Sequence, residues 1–102
     1  MKVVWSPLAI ERAAEQAEYI SQDKPDAARR WLAGLFAAAG KLSKFPRTGR
    51  VVPEIGRPEI REVAFGGCRI VYHLGPGQVA ILTVRHARRL LDKGEVDVGS
   101  GP

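Results

Sequence analysis

Apolar and polar residues follow two different periods along this chain, and the change from one to the other divides it. In the first stretch Ile10, Ala13, Ala14, Ala17 and Ile20 recur at helical spacing, while Glu11, Glu15 and Glu18 fall largely on the other side. An amphipathic helix is predicted there. Its start is marked by Ser6, a side chain able to cap, and by Pro7, whose missing N–H costs nothing in the first turn. Ser21-Gln22-Asp23-Lys24 breaks the pattern, and Pro25-Asp26 restarts it with a proline and an acid at the positive end of a second helix dipole. That helix is predicted from about Pro25 to Lys44, with Ala28, Trp31, Leu32, Leu35, Ala39 and Leu42 along one stripe and Phe45-Pro46 as its stop. Gly40 inside it implies either a kink or another backbone lying close. Two helices joined by so short a link pack as an antiparallel hairpin.

Ahead of the helices, Lys2–Trp5 reads as a short strand, with β-branched Val3 and Val4 beside an aromatic. Residues 47–57 carry Gly49, Pro53 and Gly56 and no helical period, so they read as a loop with at most one short strand at Arg50–Val52. After Pro58 the period becomes two. Ile60, Glu62 and Ala64 alternate with Arg61, Val63 and Phe65, and Gly66-Gly67 turns into Cys68–Leu74. Gly75-Pro76-Gly77 turns again into Gln78–Val84. The predicted fold is α+β in two layers: an N-terminal strand, an antiparallel helix hairpin, then a three- to four-stranded antiparallel sheet covered by the helices on one face. Residues 1–92 form the single expected domain, and 93–102, rich in glycine, an expected flexible tail.

Charge sharpens this picture. The net charge of +5 is concentrated in residues 41–93, where eleven basic side chains meet four acidic ones. Such an asymmetry points to a polyanionic partner, either nucleic acid or an acidic protein segment. No apolar run is long enough to cross a bilayer and no signal-peptide core follows Met1, so a cytoplasmic protein without a membrane partner is expected. A lone cysteine, Cys68, excludes an internal disulfide framework and fits a reducing compartment. With His73 and His86 it makes a poor metal set, and neither a metal nor a cofactor is expected.

Chemistry is therefore sought across strands. Strand alternation sends Arg69, Val71 and His73 one way and Ile70 and Tyr72 the other. If the helices cover one face, Arg69 and His73 are presented on the opposite one, with Arg61 on the preceding strand and Arg85 and His86 at the end of the last. Arginines and a histidine on an open sheet face suit phosphate gripping and proton transfer. The same pattern also fits plain polar positions paired with Glu59 and Glu62.

Read in order, Trp5-Ser6-Pro7, Asp23-Lys24-Pro25-Asp26-Ala27-Ala28, Phe45-Pro46-Arg47-Thr48-Gly49-Arg50, Ile60-Arg61-Glu62-Val63, Cys68-Arg69-Ile70-Val71-Tyr72 and Ile81-Leu82-Thr83-Val84-Arg85-His86 resemble the successive motifs of the RelE/ParE toxin superfamily, over about residues 2–91. The proline-started second helix, the Phe-Pro-x-x-Gly-Arg turn and the Val-Pro-Glu loop are more similar to its ParE branch. The resemblance implies a type II toxin with an operon-encoded cognate antitoxin, whose expected contacts are Trp31, Leu35 and Tyr72. For the ParE branch it implies DNA gyrase as target, reached through Arg61, Arg69, His73, Arg85, His86, Arg88 and Arg89. For the RelE branch it implies cleavage of messenger RNA on the ribosome by Arg61, Arg69, Arg85, His86 and Glu54. Cys68 stands where the family usually has an aromatic.

Overall fold

A computed structural model describes residues 1–91 and 93–96. The elements run β1 (Lys2–Trp5), α1 (Pro7–Ser21), α2 (Pro25–Gly40), a short 3-10 turn (Lys41–Ser43), β2 (Arg50–Val51), β3 (Ile60–Phe65), β4 (Cys68–Gly75), β5 (Gln78–His86) and a second 3-10 turn (Lys93–Val96). The sheet has five strands in the order β1-β5-β4-β3-β2. β3, β4 and β5 form the expected antiparallel meander, while β1 lies parallel to β5, with Lys2 opposite Gln78 and Trp5 opposite Ile81. The α+β reading holds: the one short strand allowed at Arg50–Val52 is present as β2, and the parallel seat of β1 is the addition. The helix hairpin between β1 and the meander makes that parallel pairing possible, because parallel neighbours need a long crossover.

Ser6 ties the two layers together. Its hydroxyl accepts the Ala9 N–H at 3.0 Å, capping α1, and donates to the Leu82 carbonyl of β5 at 2.8 Å. The face of α1 that reaches the core is turned by about one position from the expected stripe. Ala9, Ala13 and Ala17 are buried, whereas Ile10 is 53% exposed and Ala14 lies at the surface. Alanines four residues apart let α1 approach α2 and β5 more closely than an isoleucine row would. α2 buries Ala28, Leu35 and Ala39 as expected, but ends at Gly40, with Leu42 buried from the following 3-10 turn. A Cβ added at Gly40 would meet nothing within 4 Å, so no close backbone explains that glycine, which stands where α2 gives way to the 3-10 turn.

The helix-facing core joins Leu35 and Ala39 to Ile70, Tyr72, Ile81 and Val84. Leu35 and Tyr72 are fully buried in it, which corrects their expected role as antitoxin contacts: a docking partner cannot reach them. Trp31 is partly buried, and its indole N–H donates to the carbonyl of Gly66 in the β3–β4 turn at 3.3 Å.

A second apolar cluster lies on the opposite face of the sheet. Val52, Ile60, Val71 and Leu82 are covered there by Leu91 and Val96. The expectation that this face is open is overturned, because the chain after β5 folds back across it. Of the tail expected to be frayed, residues 93–96 form the second 3-10 turn, with Glu95 and Val96 buried, and 97–102 lie outside the described residues. A bulge helps β5 serve this face. Val71 pairs with Thr83 but Tyr72 pairs with Ile81, so Leu82 is an extra residue in β5 and joins the outer cluster while Ile81 and Val84 belong to the inner one.

Candidate functional site

The expected cationic face separates into three places. Arg69 does alternate away from the helices with Val71, but it is buried rather than presented, at 8% relative exposure. Its Nε donates to Glu62 at 2.6 Å, and Nη1 and Nη2 donate to the two oxygens of Glu54 at 2.8 and 2.7 Å. Nη1 also donates to the Arg89 carbonyl at 3.0 Å, and Glu54 accepts the Leu91 N–H at 3.2 Å. One guanidinium thus bridges β3, the 52–56 loop and the chain after β5. Glu62, whose side chain is 5% exposed, takes a further bond from Arg50 at 2.7 Å. Of the two carboxylates expected to neutralise these arginines, Glu62 does so, and Glu59 pairs with Arg57 instead.

This network perturbs titration from both sides. The Arg69 guanidinium, assisted by the Leu91 N–H, holds the Glu54 carboxyl down to about 2 from its ordinary 4.5. Arg69 is itself raised, first by its bonds to Glu54 and then by those to Glu62. A carboxyl depressed on folding contributes stability that is fully present above the unfolded value and lost as pH falls toward the folded one. The Glu54–Arg69 bond should therefore weaken between pH 4.5 and about 2. In urea titrations the stability gap between the parent chain and Glu54→Gln is expected to close across that window. A gap unchanged with pH would show that the contact is not electrostatic.

Arg61 lies elsewhere. On β3 it shares the helix-side face with Val63 and Phe65, and its Nη1 donates to the Gly49 carbonyl at 2.9 Å. It lines an opening with Arg47 and Glu59 at the far end of the sheet from His86. His73, on the same strand face as Arg69, is half-buried five residues from Cys68, while Cys68 pairs across the ladder with His86 and is itself buried. The two histidines and the cysteine consequently do not converge on a metal.

The remaining candidates cluster where β5 ends. Arg85 lies opposite Arg69 in the ladder and approaches Glu95 at 3.4 Å, and Thr83 donates to the same carboxylate at 3.0 Å. Beyond it His86, Arg88 and Arg89 are exposed. The Arg88 N–H donates to His86 Nδ1 at 3.3 Å, which leaves Nε2 as the ring's outward donor in the neutral imidazole. The turn that carries these cations is held by the Ala87 N–H to Gly67 carbonyl bond at 2.9 Å and by Arg69 from below.

Sequence reasoning missed Arg12 and Tyr19 of α1, which border the same end of the sheet together with Arg85, His86 and Arg89. No periodicity could have placed them beside residues more than sixty positions away. An apolar groove of about 360 Å³, of the kind the helix pair and sheet edge were expected to leave, lies between α2 and β3, lined by Ala38, Leu42, Phe45, Val63 and Phe65. Among the described residues no helix is long and apolar enough to cross a membrane.

Known proteins are similar to this chain in sequence and in fold. Residues 3–91 match the family described as ParE toxin of type II toxin-antitoxin system, parDE. Toxin RelE2 of Caulobacter vibrioides is 32% identical over 90 residues, covering 87% of this chain and 98% of that protein. The structure titled chromosomal ParDE TA system from P. aeruginosa superposes with a TM-score of 0.72 over 84% of this chain and 95% of that one, at 13% identity, a likeness of fold. With the family match spanning all but the ends of the chain, and a relative of nearly equal length above 30% identity, the chain belongs to the ParE toxin family of type II toxin–antitoxin systems.

Proposed function

We propose that this toxin acts by binding DNA gyrase rather than by cutting RNA, with its contact surface at the His86–Arg89 end of the sheet, and that a cognate antitoxin neutralises it. The observation that carries this reading is the state of Arg69. In-line cleavage of RNA needs cations free to meet charge developing on phosphorus and a group placed to move the proton of a 2′-hydroxyl. Here Arg69 and Glu54 are committed to each other, Arg85 approaches Glu95, and Arg61 lies on the other face of the sheet. What stays open is a turn bearing His86, Arg88 and Arg89, chemistry suited to a protein or DNA surface rather than to catalysis. Membership of the ParE family supports the same target.

The antitoxin is proposed to cover the groove between α2 and β3. Phe45, 64% exposed, stands beside it, and β2 pairs only with Arg61 and Glu62, so β3 beyond Glu62 has no strand on its outer side among the described residues. An extended segment with alternating apolar residues could add there, with acidic residues toward Lys41.

The gyrase reading is tested with supercoiled plasmid, purified gyrase and ATP. Linear DNA should accumulate, after detergent and protease, only when toxin and gyrase are both present. Arg88→Gln with Arg89→Gln should weaken the effect severalfold while leaving the fold intact, because both side chains lie on the surface. The likeness to a protein named RelE2 keeps a ribosomal reading in the experiment. Message cleavage in a translation reaction, lost in His86→Gln, together with no effect on gyrase, would overturn the proposal.

A further inference from the structure

We propose that the notch between α1 and the end of β5 is a nucleotide-binding site, taking a phosphate among Arg12, His86 and Arg89 and a base against Tyr19. The notch encloses about 430 Å³ and is bordered by these four residues together with Glu15 and Arg85. That volume falls within the range of small-ligand sites, roughly 300–1,000 Å³.

Its cations come from three elements that only the fold brings together: Arg12 from the middle of α1, His86 from the end of β5, and Arg89 from the turn that follows. Among the described residues the acids facing them are few: Glu15 pairs with Arg12 at 3.2 Å and is more than half exposed, while Glu95 is engaged by Arg85 at 3.4 Å. Among the described residues the buried Nε–H of Arg12 has no hydrogen-bond partner, so Glu15 does not fully satisfy that guanidinium. His86 adds an Nε2 donor, fixed outward by the Arg88 N–H on its other nitrogen. A phosphate, with several acceptor oxygens sharing its negative charge, matches such a set better than a single carboxylate does.

Tyr19 decides between a nucleotide and a bare anion. It is 71% exposed, among the most exposed large hydrophobic side chains of the molecule, and it borders the notch directly. An aromatic ring standing in water beside arginines makes a stacking surface for a base next to a grip for its phosphate. The source of the nucleotide is either a free mononucleotide or an exposed strand of nucleic acid. Binding is measured without gyrase, so this proposal and the gyrase reading can fail separately.

The test titrates the purified chain, at physiological salt, with adenosine monophosphate and with a short fluorescent oligothymidylate. Both the probe signal and the NMR resonances of the Tyr19 ring and His86 imidazole are followed. Tyr19→Ser should weaken binding by about tenfold, as should Arg12→Gln and Arg89→Gln. Arg30→Gln, exposed on α2 away from the notch, should leave binding unchanged. Saturation by the oligonucleotide alone identifies a strand as the ligand, and saturation by both probes a mononucleotide. No saturable binding, equal weakening by all four substitutions including Arg30→Gln, or indifference to Tyr19→Ser would each overturn the proposal.

Discussion

Arg69→Ala is expected to destabilise the fold by about 3–5 kcal/mol, because it strands two acids rather than removing one surface charge. Glu62 is 5% exposed and Glu54 20% exposed at the side chain, and both take their shortest or paired bonds from this guanidinium. The loss also frees the Arg89 carbonyl and loosens the segment that covers Val71 and Leu82. Thermal unfolding should show a fall in Tm of at least about 12 °C for a domain of this size. A triple variant, Arg69→Met with Glu54→Gln and Glu62→Leu, should recover much of the loss, since apolar replacement of a whole buried network is far less damaging than breaking it. A single-variant loss under about 1 kcal/mol would mean that these acids find water or other partners. Loss of toxicity in Arg69→Ala is therefore to be read only beside the stability measurement.

Gly49→Ala should be nearly as damaging, for a steric reason. A Cβ there would stand 2.5 Å from the Tyr72 hydroxyl oxygen and 2.6 Å from the Glu62 carbonyl oxygen. The tyrosine cannot easily yield, as its hydroxyl donates to the Pro46 carbonyl at 2.6 Å and accepts the Gly49 N–H at 3.0 Å. Arg61 holds the Gly49 carbonyl from a third side. Overpacking and a broken buried bond together are worth about 2–5 kcal/mol. Tyr72→Phe, which removes only the hydroxyl, should cost about 1–3 kcal/mol. Urea unfolding of the two variants compares them directly. If Gly49→Ala proved milder than Tyr72→Phe, the close approach would not be what requires glycine at this position.

These two sites explain why two of the resembling motifs occur in one chain. The Phe45-Pro46-Arg47-Thr48-Gly49-Arg50 turn and the Cys68-Arg69-Ile70-Val71-Tyr72 strand meet in space. Tyr72 holds Pro46 and Gly49, while Arg50 and Arg69 share Glu62. Both motifs hold the fold together, and His86, Arg88 and Arg89 are exposed after them.

Periodicity made most of the fold legible. The helix hairpin followed from the stripes over 10–20 and 28–42, the meander from alternation between paired glycine turns, and the α1 start from Ser6-Pro7. The rotation of α1 was not legible, because Ile10 and Ala9 satisfy the same period and only the close approach of a second helix prefers the smaller residue. The site was less legible still. Alternation correctly separated Arg69 and His73 from Ile70 and Tyr72, yet it carries no information about what covers the second face. Leu91 and Val96 do so from a segment with no period of its own, and with them Arg69 passes from an expected surface cation to a buried bridge.

By itself, then, the order of residues determined the elements, their sequence along the chain and the excess of positive charge in its second half, since local sterics and hydrophobic spacing act between near neighbours. Tertiary structure alone decided which arginines face carboxylates and which face water. Electrostatic partnership depends on distances between residues far apart in the chain, and only the folded backbone sets those distances.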